Sequence, residues 1–349
     1  MKAAVIGLGR MGAEPSKRLE DVLPDGWLPI SHAEAMISTP GIELVALCDA
    51  DAEKVERFKK HYSILNGYTD YKKMIDEIKP DFLSVATRTS VRKEIIEYAA
   101  NNGVKAIYAE KPLCNSLTEC DQILSLLEEK KVILGYGVNR RYHEVYRKAK
   151  EIINSGELGE LKEIIIENGH TNLFWAHPHS VDIILFFAQS VTLQTIQGKC
   201  CFKNNGIVVN NILDDDPLVD HALFCFENGI HGIITNTCGL NVRLACANGN
   251  LTIHSDGKFI DINKGNGYFH KYEKLEVKCS KSATQNLIQE LSESLLFNKP
   301  LLITPKEIRT GLLMLSGVVQ SSLKNGICIK PEDVFPDLII SGKLGEFYA

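Results

Sequence analysis

Ala3-Ala4-Val5-Ile6-Gly7-Leu8-Gly9-Arg10-Met11-Gly12 sets four apolar residues directly ahead of three glycines in the order G-x-G-x-x-G. The pattern reads as a buried strand turning into a helix. Gly7 permits the tight turn, Gly9 lets a pyrophosphate approach the backbone, and Gly12 lets the helix pack on its strand with free amides facing the phosphates. Glycine-rich turns also occur without ligands, so the reading leans on a second apolar run, Glu43 to Cys48, which ends on Asp49. A carboxylate at that tip can accept hydrogen bonds from both ribose hydroxyls of NAD and would repel a 2'-phosphate. Residues 13–48, 36 in all, separate Gly12 from Asp49, where the motif expects about 20. Pro15 to Ile30 therefore reads as an insertion, with Pro24-Asp25-Gly26-Trp27-Leu28-Pro29 as a rigid turn bearing an exposed aromatic and Ser31 to Ser38 as a following helix. It lies either over the cofactor or substrate, or on the surface as a plain loop.

Short apolar runs continue at Phe82 to Thr87, Lys105 to Glu110 and Val132 to Tyr136, each followed by a helix-period segment. That alternation predicts an α/β, doubly wound parallel sheet. Ser116-Leu117-Thr118-Glu119 forms a capping box ahead of one apolar face made by Leu117, Cys120, Ile123, Leu124 and Leu127, and Gly103 ends the preceding helix. Past residue 155 the pattern changes to longer alternating runs at Leu161 to Glu167, Thr192 to Phe202, His221 to Phe226 and Ile230 to Thr235. Asn228-Gly229, Asn248-Gly249 and Asp256-Gly257 predict hairpins, hence an antiparallel sheet. Two core helices are expected at Ala283 to Phe297 and Pro305 to Leu323. The division falls into residues 1–138, which bind a dinucleotide, and residues 139–349, an α+β substrate and oligomerisation domain whose last helices pack back near the first.

The 349 residues carry 39 Lys and Arg against 44 Asp and Glu, a net charge of -5. Such a chain offers no positive field for nucleic acid or an anionic membrane. Its 10 cysteines include no C-x-x-C pair, and no apolar run reaches a membrane span. A reducing, cytoplasmic setting is expected.

Three groups of residues could carry chemistry. Glu110-Lys111-Pro112 follows a parallel strand at its carboxyl end, where open α/β sheets place ligands. A lysine desolvated there, beside the positive ring of an oxidised nicotinamide, is pushed toward its neutral form and can exchange a proton with a hydroxyl; otherwise it is a surface lysine. His177-Pro178-His179-Ser180-Val181-Asp182 opens an apolar helix, with His179 and Asp182 on one face. Asp182 could hold the imidazole in one tautomer for base catalysis, or the pair could be structural. Histidines at i and i+2 do not share a face and lack a third ligand, so no metal is expected. Asn139-Arg140-Arg141-Tyr142 joins the two halves, its arginines suiting an anionic or polyhydroxylated ligand or an interdomain salt bridge. Arg88 and Arg92, at another strand end, add to a positive rim unless Arg92 is simply solvated.

Gly7-x-Gly9-x-x-Gly12, Asp49, Ala86-Thr87, Glu110-Lys111-Pro112, Asn139-Arg140-Arg141-Tyr142, Gly156-x-x-Gly159 and His179-x-x-Asp182 together resemble the glucose-fructose oxidoreductase, inositol dehydrogenase and MocA (Gfo/Idh/MocA) family. The resemblance implies an N-terminal Rossmann domain, an open and mostly antiparallel C-terminal sheet used for homo-oligomerisation, and NAD or NADP chemistry on sugars or polyols. It implies Lys111, His179 and Asp182 as the catalytic set, with His179, oriented by Asp182, taking the hydroxyl proton and Lys111 positioning and polarising that oxygen. Gly7, Gly9, Arg10, Met11, Gly12, Asp49, Thr87, Glu110, Lys111 and Asn139 would contact the cofactor, and Arg140, Arg141, Trp175 and His177 the substrate. Trp175 stands where family members acting on free polyols often carry aspartate, and Arg88-Thr89-Ser90-Val91-Arg92 replaces the usual proline and histidine after Ala86-Thr87. More cationic groups then face the cleft, which favours a sugar with a negative group, such as a nucleotide sugar or sugar acid. The expected function is NAD(P)-dependent hydride transfer at a sugar carbinol. A recycled, tightly held NAD serving epimerisation or elimination, or a non-catalytic cofactor-binding sensor, would use the same fold.

Overall fold

The computed structural model describes residues 1–341 apart from residues 204 and 267. Its first part alternates strand and helix: β1 (Lys2–Ile6), α1 (His32–Ile37), β2 (Glu43–Cys48), α2 (Ala52–Tyr62), β3 (Asn66–Tyr68), α3 (Tyr71–Ile78), β4 (Phe82–Val85), α4 (Thr89–Asn101), β5 (Ala106–Ala109), α5 (Leu117–Glu129) and β6 (Ile133–Tyr136). The six strands pair in the order β3-β2-β1-β4-β5-β6, all parallel. This is the doubly wound Rossmann order, with its switch point between β1 and β4. Strands buried on both faces have little room for polar side chains, so β5 and β1 after Lys2 are wholly apolar, and Ser84, the polar residue of β4, is paired with His32. Successive residues divide between two cores: Ala4 and Ile6 face one, Ala3 and Val5 the other.

A 3-10 turn at Asn139–Tyr142 leads into α6 (Glu144–Asn154), β7 (Leu161–Glu167), α7 (Leu173–Ala176) and α8 (Pro178–Ala188). The remaining strands are β8 (Leu193–Cys201), β9 (Val208–Val209), β10 (Ile212–Leu213), β11 (Leu218–Phe226), β12 (His231–Thr235), β13 (Asn241–Cys246), β14 (Gly249–His254), β15 (Phe259–Asn266) and β16 (Phe269–Leu275). They are followed by α9 (Ala283–Phe297), α10 (Pro305–Leu323) and β17 (Ile339–Ile340). Eight strands form one sheet in the order β16-β15-β14-β13-β7-β12-β11-β8, antiparallel except for β7 with β12. All three Asx-Gly pairs sit at antiparallel hairpins: β11 to β12, β13 to β14, and β14 to β15. The α8 helix lies buried along nearly its whole length, consistent with its all-round apolar sequence. The α9 helix packs on β5, β6 and α1. Its Leu291 sits so close to Gly135 that any Cβ there would meet it at 2.5 Å.

The glycine turn does not lead straight into a regular helix, as the motif predicts. Ala13 and Glu14 donate to the Gly9 carbonyl, completing one turn, after which the chain leaves and returns at α1. His32 N–H then donates to Met11 O at 2.7 Å and Ala33 N–H to Gly12 O at 2.9 Å. Residues 15–30 are thus looped out of a helix whose hydrogen-bond ladder closes behind them. The neck is tied by Ser16, whose hydroxyl accepts from Ile30 N–H and Ser31 N–H and donates to Glu34, which also accepts from the Ser31 hydroxyl at 2.9 Å.

Trp27, expected on the surface, is only 5% exposed. Its indole N–H donates to Asp256 O at 2.8 Å, its ring packs against His143, and Ala283 N–H donates to Gly26 O. The loop therefore bolts the parallel sheet's first helix to the second half of the chain, partners that a local turn pattern does not disclose. Burial pushes the thiols of Cys48 and Cys200 up to about 12, leaving them as small apolar fillers. Among the described residues, no helix is long and apolar enough to cross a membrane.

Truncation of the anchor gives a direct measure of this joint. Trp27→Ala is expected to lower stability by about 3 kcal/mol, read as a lower urea midpoint with an unchanged slope; a midpoint matching wild type would show that the loop carries no load.

Candidate functional site

Two adjoining regions gather the polar groups, and the first is the turn after β1. Gly7 holds φ at +89°, and a Cβ there would meet Ala86 O at 2.8 Å; a Cβ on Gly12 would meet Gly7 O at 1.7 Å. Only glycine fits at either position. Around Gly9, by contrast, a Cβ would meet nothing within 4 Å, so this side of the turn is open. Asp49 closes the far end of β2 beside it, accepting Leu8 N–H at 2.7 Å and Asp51 N–H at 3.0 Å. Arg10 is exposed and Met11 half-buried on the turn. Across the switch point, the buried hydroxyl of Thr87 lacks any protein partner. An open turn rimmed by a fixed carboxylate and an unanswered hydroxyl fits a dinucleotide. The glycine turn would take the pyrophosphate, Asp49 the ribose diol and Thr87 the ring beyond, and the bound nicotinamide would supply a hydride acceptor or donor.

The second region begins at the end of β5. Lys111 is half-buried; its ammonium donates to Trp175 O at 2.7 Å and lies 4.1 Å from the centroid of the Trp175 indole. Desolvation brings Lys111 down to about 8 against the pull of Glu110, with Arg140 and Arg92 pushing the same way as burial. Glu110 is held below it by His32 Nε2 at 3.1 Å, whose Nδ1 meets Ser84 Oγ at 2.6 Å and whose ring stacks on Tyr108. Burial opposes the Glu110 charge, yet the contact with His32 and the charges of Lys111 and Arg92 keep its pKa below the ordinary range.

His179, at the second position of α8, lines a small, partly open cavity together with Arg140, Tyr146, Glu167, Asn168, Asn241 and Asp256. Its Nδ1 is buried without a protein hydrogen-bond partner. Desolvation, then the charges of Arg140 and Lys111, drive its pKa well below the usual value, so the ring is neutral. Lys111 and Arg140 lie near enough to act on the charge of His179, and Trp175 covers Lys111, although Lys111 and Trp175 do not themselves line the cavity.

Several expected site residues lie elsewhere. Asp182 does not orient His179. Arg141 binds it through Nη2 at 2.6 Å and Nε at 3.0 Å, while Arg141 Nη1 reaches Glu307 at 3.1 Å and Leu302 O at 2.8 Å. A buried guanidinium needs a carboxylate more than a neutral imidazole does. Arg141, fully buried, accordingly cannot meet substrate. His177 is also fully enclosed, bonded to Thr171 and Ser180, with burial lowering its pKa to about 4. Asn139 lies inside the joint, accepting from Tyr108 and donating to Thr284. Glu110 meets His32 and the Lys111 amide, contacts through which it supports Lys111. Arg92, neither rim nor solvated, is buried and donates to Thr87 O and Pro112 O. Arg140 does reach the cavity, but Asp256 grips it at 2.8 and 2.7 Å.

His32, Asp216 and Asp256 are the residues that the sequence reading missed. Asp256 was visible only as a hairpin residue, and its position in a tight turn is what aims its carboxylate inward at Arg140 and Tyr146. Among the described residues, no group of three His, Cys, Asp or Glu side chains could hold a metal ion.

Residues 1–138 match the family model GFO_IDH_MocA, described as an oxidoreductase family with an NAD-binding Rossmann fold. Inositol 2-dehydrogenase of Salmonella paratyphi B is 25% identical over 174 residues, 49% of this chain and 46% of that protein. The scyllo-inositol 2-dehydrogenase (NAD(+)) of Bacillus subtilis is 31% identical over 160 residues, 46% of this chain and 42% of that protein. The match thus spans about half the length of these curated relatives. Over nearly the whole chain the fold is that of an oxidoreductase from Agrobacterium radiobacter solved with NAD+, L-tartaric acid and magnesium: TM-score 0.73, 16% identity, 96% of this chain and 99% of that one.

Asp182→Ala should cost about 3 to 5 kcal/mol by stranding the Arg141 charge, measured by chemical denaturation. Wild-type stability in that variant would return Asp182 to a role at His179.

Proposed function

Since residues 1–138 belong to the GFO_IDH_MocA oxidoreductase family with its NAD-binding Rossmann fold, we propose that this chain is an NAD(P)-linked dehydrogenase acting on a CH–OH group of a sugar or polyol. The observation that carries the reading is Lys111, brought down to about 8 at the end of a parallel strand beside the neutral ring of His179. A base works best when its pKa lies near the working pH. Lys111 in its neutral form therefore takes the carbinol proton, and His179 steadies the same oxygen by hydrogen bonding. This reverses the expected division of labour, because Asp182 is not free to raise the basicity of His179. Trp175 covers Lys111 and keeps water from its ammonium.

The charge balance of the cavity favours a neutral, polyhydroxylated substrate over the negatively charged sugar first expected. Arg140 is matched by Asp256, Arg141 by Asp182 and Glu307, and Arg92 faces backbone carbonyls. Glu167, Asn168 and Asn241 offer hydroxyls both donors and acceptors. Self-association through the C-terminal sheet fits its edge strand β16, where Phe269 and Tyr272 are exposed next to Tyr268.

Oxidation should follow the neutral fraction of Lys111. A lysine whose pKa is lowered sheds its proton earlier, so kcat/KM is expected to rise about tenfold per pH unit and level off above about 8. Lys111→Ala and His179→Ala should each lose about 10² to 10⁴ in turnover while still binding NAD, and Asp49→Ala should relax the preference for NAD over NADP. Steady-state assays on neutral cyclitols, free sugars and their anionic derivatives decide the matter; turnover of the anionic compounds alone would overturn the substrate assignment, and undiminished rates in both variants the mechanism.

A further inference from the structure

The backbone that caps Lys111 is itself gripped by a carboxylate from a distant element. Asp216, in the run Asp214-Asp215-Asp216-Pro217 ahead of β11, is 3% exposed. Its Oδ1 accepts Phe174 N–H at 2.7 Å and its Oδ2 accepts Trp175 N–H at 3.0 Å. The flanking chain is knitted in the same way: Leu173 N–H donates to Pro217 O at 2.9 Å, and Asn172 Nδ2 to Asp216 O at 2.5 Å. The peptide held by these contacts offers its carbonyl and its indole face to the Lys111 ammonium. We propose that Asp216 is a positioning residue for Lys111, fixing the Phe174–Trp175 backbone so that the Trp175 carbonyl and ring hold the amine in one place, and lending the pocket a negative charge.

A neutral asparagine or serine could cap the same turn without the penalty of an interior charge. The charge has a counterpart in Lys111, whose pKa Asp216 raises, opposing desolvation. The other charged groups acting on Lys111 are Glu110, Arg140 and Arg92, and Lys111 in turn acts on His179. Burial raises Asp216 itself to about 6 despite its two amide donors, so it remains ionised at neutral pH.

The inference rests on the reading of Lys111 as the proton-exchanging group, but its test needs neither cofactor nor substrate. Trp175 and Trp27 are the chain's two tryptophans, so intrinsic fluorescence of the full chain can follow the titration of the amine beneath the Trp175 ring. The wild-type emission should change with a midpoint near pH 8, and Lys111→Met and Trp175→Phe should each abolish that change. Asp216→Asn should move the midpoint down by roughly half a unit, and Asp216→Glu, which keeps the charge, should bring it back toward wild type. A folded Asp216→Asn protein titrating at the wild-type midpoint overturns the proposal. Should that variant fail to fold, the wild-type acid limb decides: protonation of Asp216 releases the turn, so emission should change near pH 6 in wild type but not in Trp175→Phe. A flat acid limb then overturns the proposal. The expected shifts in a chain that oxidises no sugar would leave Asp216 in its place and remove only the dehydrogenase reading.

Discussion

Two consecutive guanidiniums, Arg140 and Arg141, enter the protein interior and must each find a carboxylate there. They turn opposite ways: Arg140 to Asp256 on the β14–β15 hairpin, Arg141 to Asp182 on α8 and Glu307 on α10. Removing one partner of such a pair strands a charge in a poorly solvating medium, so the geometry is strongly enforced. The short turn after β6 thereby fixes the second half of the chain at three points. One of them, α8, carries His179, so the imidazole is placed relative to the turn after β6 by the grip of Arg141 on Asp182. The same pairing ties up their guanidinium donors, while the charge of Arg140 still helps to lower the pKa of Lys111, the cation whose protonation is in play.

The sheet architecture was readable because it depends on local rules. Apolar runs before glycine or Asx turns announce strands, and Asn228-Gly229, Asn248-Gly249 and Asp256-Gly257 all sit at connections between antiparallel strands. Strand β3, only Asn66–Tyr68, has no apolar run to reveal it, and β16 alternates without burying either face. The turn at Gly7 was legible for a related reason, since Gly7 is demanded by its own positive φ and Gly12 by the Gly7 carbonyl.

Side-chain allegiance across the joint was not legible. His179 and Asp182 do share a helical face, yet sharing a face does not choose between an imidazole one turn away and a guanidinium 41 residues back in the chain. Trp27 looked exposed because its neighbours are turn formers, while its hydrogen-bond partner lies 229 residues on. His32 gave no signal at all: it supports Glu110 from inside a helix that begins only after the insertion. Lys111 was recognisable from its place at a strand end, whereas Asp216, which secures the peptide above it, sits in an acidic stretch that reads as a solvated loop.

The looped-out segment 15–30 leaves the nucleotide turn immediately after Glu14 and ends against the carbonyl of Asp256, whose carboxylate helps wall the other cavity. One loop, pinned by the Trp27 hydrogen bond, therefore tethers the glycine turn to the rim of the second cavity. Whatever free energy of coupling that tether transmits acts with equal strength in both directions, by thermodynamic reciprocity.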